Sequence, residues 1–233
     1  MNSSAATGAQ AVGYNAGLRS YMLSVYNYMA SGVLLTGVVA LLFAQSGMAA
    51  QILGGPGLLK YVIMFAPLVF VMVLSFGINR LSTAAAQGLF WAYAAVMGLS
   101  LSSIFLVYTG TSIAQTFFAT AAAFAGLSLF GYTTKKDLSG FGTFLIMGVV
   151  GLLVASLINI FLKSSALDLA ISFIGVLLFA GLTAYDTQKI KSMYAYVAGT
   201  DMMGKTIVMG ALSLYLDFIN MFMFLLRFMG NRD

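Results

Sequence analysis

The chain contains no cysteine and no histidine. The first absence excludes disulfides, thiolate nucleophiles and soft-metal sites. The second excludes Ser-His proteolysis, His-ligated zinc and haem held by histidine. Glutamate is missing as well, so the whole acidic inventory is six aspartates. Charged residues of both signs make up only 7% of the chain, and proline occurs twice, at Pro56 and Pro67. What remains is carboxylate, lysine, hydroxyl and amide chemistry. No nucleophile and base form a recognisable set, so the expectation is neither an enzyme nor a cofactor protein. The net charge of +5 is spread over short loops and helix ends, which suits orientation against a membrane rather than nucleic-acid binding.

Hydrophobic residues make up 61% of the chain, and the mean hydropathy is +0.98, far outside the averages of soluble globular proteins. A helical span needs roughly 20 apolar residues, so 233 residues are nearly consumed by crossing the bilayer. Seven apolar segments are visible, at 22–44, 61–79, 88–109, 113–132, 141–162, 167–187 and 207–228. The fold class is therefore an all-α polytopic membrane protein. It divides into a polar N-terminal lead (1–20), a single seven-helix transmembrane domain (21–229) and a short tail (230–233). The run after Arg19 is too long for a typical signal-peptide core and reads as a span. Turns are marked by Gly54-Gly55-Pro56-Gly57, Thr133-Thr134-Lys135-Lys136-Asp137 and Gly199-Thr200-Asp201.

Basic residues at alternate ends give an orientation. With a cytoplasmic N-terminus the inner side holds Arg19, Arg80, Lys135, Lys136, Lys189, Lys191 and Lys205, and the outer side Lys60, Lys163, Arg227 and Arg232. Seven against four favours N-in and C-out. An alternative leaves the sixth segment re-entrant, with both termini inside.

The last segment carries the clearest pattern. Thr206, Gly210, Ser213, Asp217 and Asn220 recur at spacings of 4, 3, 4 and 3, a single helical stripe on an otherwise apolar helix. Such a helix is expected to lie centrally. Small and hydroxyl residues on the stripe are accounted for by close helix packing, but Asp217 is not. An ionised carboxylate at mid-membrane costs about 2.5–3.5 kcal/mol, so it persists where it faces a polar interior, a partner or a shared proton. Asp186 falls at the expected inner end of the sixth span, where Tyr185-Asp186-Thr187-Gln188 concentrates hydrogen-bonding groups before Lys189 and Lys191. Arg80 ends the second span on the same side, either as a cationic partner for the aspartates or as an interfacial anchor. Pro67 reads as a kink or a packing feature.

The stretch Gly181-Leu182-Thr183-Ala184-Tyr185-Asp186-Thr187-Gln188-Lys189-Ile190, followed by Leu212-Ser213-Leu214-Tyr215-Leu216-Asp217-Phe218-Ile219-Asn220-Met221-Phe222, resembles the paired signature of the Bax inhibitor family, the transmembrane Bax inhibitor motif proteins. Length and the minimal tail Gly230-Asn231-Arg232-Asp233 resemble bacterial members, which implies the inner (cell) membrane. The resemblance implies seven helices with the last enclosed by the other six. It also implies a pH-sensitive calcium leak in which Asp186 and Asp217 are sensor, gate and transient Ca2+ ligands, with Arg80 matching a second-span arginine able to pair with them. Some members carry an acidic residue in the second span, and 61–79 has none. Two carboxylates brought together in a low-dielectric interior resist joint ionisation and share a proton, which suits a sensor. They fall far short of the 6–8 oxygens of a calcium storage site. Two readings stay beside this one: a membrane interaction protein that modulates a membrane protease or stress response, with the pair Asp186 and Asp217 serving only helix registry beside the polar seam of Ser213 and Asn220, and a proton-coupled carrier.

Overall fold

The computed structural model describes the backbone of residues 3–231 and the side chains of residues 13–231. Arg232 and Asp233, which enter the basic count and the tail, and Met1 and Asn2 of the lead lie outside the described residues. Eight α-helices follow in order: α1 (Ser3–Gln45), α2 (Met48–Leu53), α3 (Leu59–Gly77), α4 (Thr83–Leu101), α5 (Gly110–Thr133), α6 (Ser139–Leu162), α7 (Ser165–Val197) and α8 (Met202–Met229). A 3-10 stretch, Ser102–Leu106, continues α4. All but the short α2 are long and apolar enough to cross a membrane, so the chain has seven spans as expected.

Local chemistry sets the boundaries. Ser82, Thr109 and Ser164 accept hydrogen bonds from the backbone N–H of Ala85, Ser112 and Leu167 and so start α4, α5 and α7. Gly47 follows α1 with φ 78°, and Gly199 turns the chain between α7 and α8 with φ 74°, a left-handed conformation open to glycine at no steric cost. Pro67 is buried within α3, which continues through it.

Several boundaries differ from the expected ones. The lead and the first span share one helix, and Tyr194 packs against Tyr14 and Tyr21 of α1 at ring separations of 5.2 and 5.4 Å. The third span begins at Thr83 rather than 88, where the Ser82 cap initiates it. The largest difference is in the sixth span, which runs past 187 to Val197. Hydropathy falls at Lys189 and Lys191, but the helical period persists, with Ile190 and Tyr194 buried on one face. Lys191 donates to the Tyr132 carbonyl (2.7 Å), and Gln188 bonds both the Lys136 carbonyl and the Leu138 N–H, pinning this extension to the end of α5.

The core is built on α8, whose Val208, Leu214, Tyr215 and Leu226 are fully buried. Its walls are α7, α1, α5 and α4, while α3 packs chiefly on α4 and α6 on α7. The outer helices display Phe65, Leu68 and Phe76 (α3) and Phe144, Met147 and Phe161 (α6), a density of exposed apolar side chains that suits lipid rather than water. Within the core, the Thr36 hydroxyl of α1 donates to the Ala94 carbonyl of α4 (2.8 Å). Its proton being committed there, the Tyr215 hydroxyl of α8 donates to Thr36 Oγ1 at 2.6 Å. One hydroxyl thus ties three helices.

Candidate functional site

Helices α7 and α8 form an antiparallel hairpin, and two close approaches fix its register. A methyl group added at Gly210 would touch the Ile190 side chain at 3.2 Å, and one at Gly175 would enter the Phe224 ring at 2.6 Å. In that register Asp186 lies level with Ser213 and Leu214, and Asp217 with Thr183. The two carboxylates are therefore offset by about one turn, roughly 5 Å along the axis.

The extension of α7 places Asp186 eleven residues before the helix end (187–197), instead of at the interface. It is half-buried. Asp217 is only 4% exposed, and its Oδ2 is buried with no hydrogen-bond partner. Counting from the ends of α8, Asp217 lies about 22 Å from Met202 and about 18 Å from Met229, near mid-span. The two carboxylates are close enough for the charge of Asp186 to bear on Asp217, while Lys189 bears on Asp186. The Lys189 ammonium lies over the Tyr185 ring at 5.9 Å. Neither aspartate takes part in an ion pair among the described residues. Arg80 sits in the turn after α3, exposed, and pairs with neither.

The expected polar stripe of α8 divides. Thr206, Gly210 and Asp217 are buried, whereas Ser213 and Asn220 are half-buried and belong to a neighbouring line that runs Met209, Ser213, Leu216, Asn220 and Met223 to Arg227. The Asn220 amide donates to the Leu216 carbonyl at 2.8 Å. This line ends at a cavity of about 590 Å³, lined among others by Ser103, Asn159, Asp168, Met223 and Arg227. Arg227 and Asp168 pair there at 3.7 Å, both well exposed. At the opposite end of the bundle a smaller cavity of about 310 Å³ is lined by Lys136, Asp137, Tyr185, Gln188 and Lys189, next to Asp186. The Ser139 hydroxyl, and then its backbone N–H at 2.9 Å, hold the Asp137 carboxyl below the usual carboxylate range.

Sequence reasoning placed Thr187 in a hydrogen-bonding cluster without its burial, and missed Thr183, Asp168 and Arg227 as polar groups of the interior and its ends. Thr187 is fully buried beside Asp186 with an unpartnered hydroxyl, and the Thr183 hydroxyl donates to the Phe179 carbonyl at 2.8 Å. Both stood in the quoted signature, where alternation of hydroxyls around an aspartate was the available signal. Asp168 and Arg227 had a subtler one: a carboxylate in the first turn of one span and a guanidinium in the last turn of the next meet when the two form a hairpin. An interior carboxylate of this kind can hold a proton, and the two cavities lie towards opposite ends of the bundle.

A family model described as "Inhibitor of apoptosis-promoting Bax1" matches residues 18–233. Among relatives, the chain is 49% identical over 219 residues to the inner membrane protein YbhL of Escherichia coli (strain K12), covering 93% of this chain and 94% of YbhL. It is 50% identical over 220 residues to RP147 of Rickettsia prowazekii (strain Madrid E), covering 94% and 92%.

Proposed function

We propose that this chain, which belongs to the family of inhibitors of apoptosis-promoting Bax1, is a pH-sensitive cation leak of a bacterial inner membrane, with calcium as the permeant ion. Asp186 and Asp217 act in it as proton sensor and gate. The observation that carries the reading is the Asp217 carboxylate: nearly fully buried, with one oxygen unpartnered and the charge of Asp186 acting on it. Two such groups in a low-dielectric interior share protons rather than ionise independently, and a change in that proton count repacks the helices that carry them. Calcium suits hard oxygen ligands, and a donor set this small holds it in passing rather than in storage. The half-buried line on α8, from Ser213 to the cavity beside Arg227, supports a route on one side, and the cavity beside Tyr185 supports one on the other.

The same reading places the N-terminus and the basic end of the bundle in the cytoplasm. The printed name of the E. coli relative supports the inner membrane. Enclosure of α8 by all six other spans also belongs to this reading: four supply its walls directly, with α3 and α6 behind two of them. Arg80 is exposed and unpaired in this conformation, so its partnership with the aspartates belongs to a different state of the protein. An Arg80→Gln change then shifts the pH midpoint rather than scaling the flux.

Calcium flux into liposomes carrying the purified protein, measured across a pH series, is the test. Asp186→Asn and Asp217→Asn each keep volume and hydrogen bonding but remove titration, so each loses much of the pH response. The double variant is strongly non-additive with the singles. Unchanged pH dependence in both single variants would sink the sensor assignment. It would favour an interaction protein, acting on a partner such as a membrane protease, in which the carboxylates only hold helices in register.

A further inference from the structure

A cavity of about 850 Å³ opens sideways between α1 and α5, away from the aspartate pair. Its walls are Met22 and Val33 on α1 and Phe117 and Phe124 on α5, and its floor is Phe218 of α8. The volume lies within the range of small-molecule sites, roughly 300–1,000 Å³. The lining is apolar except towards one end. There the guanidinium of Arg19 is exposed and, among the described residues, takes part in no ion pair. The lining residue Tyr132 brings in a second cation: the Lys191 ammonium lies over its ring at 4.8 Å and donates to its carbonyl at 2.7 Å. No acidic side chain lines the cavity. Ser128 lines it as well, 5% exposed and with an unpartnered hydroxyl.

From Arg19 to Leu34 the groove follows α1 for about 22 Å, more than half of a hydrocarbon core roughly 30 Å thick. Its basic end is the end of the bundle where Tyr194 of α7 packs on Gly17 of α1 and where Lys191 reaches α5. A groove that is apolar along its length, cationic at one end and open to the side matches an anionic glycerophospholipid. Such a lipid would rest its phosphate on Arg19, near Lys191 over Tyr132, and run an acyl chain down between α1 and α5. Basic pockets between spanning helices bind anionic headgroups for this reason.

We infer that the α1–α5 groove is a binding site for one anionic phospholipid, held by Arg19 at its mouth and resting on Phe218. Since Phe218 follows Asp217, the occupant touches the helix that carries the buried carboxylate.

Native mass spectrometry of the detergent-solubilised full chain, titrated with phosphatidylglycerol or phosphatidylcholine, tests this. One phosphatidylglycerol is retained in preference to phosphatidylcholine. Arg19→Gln weakens its retention about five-fold, the loss expected for one basic residue at a charged headgroup. Arg19→Lys keeps the retention. Lys205→Gln also keeps it, because Lys205 follows Gly204, which packs on Thr83 of α4 away from the groove. Ala125→Trp, at an exposed position lining the groove, abolishes retention although Arg19 is still present. Melting temperatures in lipid-free detergent verify that these surface variants fold. Equal retention of the two lipids, or equal losses in Arg19→Gln and Lys205→Gln, would overturn the site. So would a dimer that Ala125→Trp dissociates, since that would make a second copy the occupant.

Discussion

Gly131 of α5 packs directly on the backbone of α7. A methyl group there would come within 2.9 Å of the carbonyl carbon of Ala184 and 3.0 Å of its Cα, and closer still to the carbonyl oxygen. Carbon atoms settle at about 3.5–4.0 Å, so α5 and α7 must part by half an ångström or more. No side chain can rotate away, because the obstacle is backbone. Overpacking of this kind costs about 1–3 kcal/mol. Gly126, five residues earlier on the same helix, has nothing within 4 Å of the same added atom. Both substitutions gain the same helix propensity, about 1 kcal/mol over glycine. Gly126→Ala is therefore stabilising, and Gly131→Ala is less stable than Gly126→Ala by about 1–3 kcal/mol. Reversible denaturant unfolding in mixed micelles reads the difference. Since Ala184 is two residues from Asp186, Gly131→Ala also moves the pH midpoint of calcium flux in liposomes, and Gly126→Ala does not. Equal stabilities of the two alanine variants would refute the close approach and the placement of Asp186 that depends on it.

Tyr215→Phe removes one interhelical hydrogen bond and costs about 0.6 kcal/mol, at most about 1.7, the range found between membrane helices. Thr36→Val costs more in the same unfolding assay, because it removes the bond to Ala94 as well and leaves the Tyr215 hydroxyl buried without its partner. Asp137 is held below the usual carboxylate range by Ser139, so its ionised form is fully present at neutral pH, and its contribution is lost only as the pH falls below that range. Asp137→Asn therefore leaves the midpoint of any pH response in liposome flux above that range where it is, as a pH titration will register. For topology, a reporter fused after Asp233 reads outside and one inserted in the Gly199 turn reads inside. A cytoplasmic reading after Asp233 would overturn the orientation.

The count of spans could be read from the sequence because spanning is a one-dimensional property, a run of apolar residues of sufficient length. Boundaries were less accessible for the same reason. Hydropathy ends where Lys189 and Lys191 appear, yet α7 continues because Ile190 and Tyr194 still face the protein and Gln188 and Lys191 hold the turn after α5. A helix ends where its packing and capping end, and neither is a composition signal. The short α2 has only six residues and too little apolar surface to register as a span.

The same distinction runs through the candidate site. The depth of Asp217 followed from counting along one helix, a property of one segment. Its level relative to Asp186 depends on how two helices interlock, at Gly210 against Ile190 and at Gly175 against Phe224. Those contacts carry no local pattern. Nor do Thr36 and Tyr215, 179 residues apart, which meet only because α1 and α8 share a wall. The interlock has a chemical consequence. With the carboxylates one turn apart, Ser213 stands level with Asp186 and Thr183 with Asp217, so each of two successive levels of the hairpin holds one carboxylate residue and one hydroxyl residue.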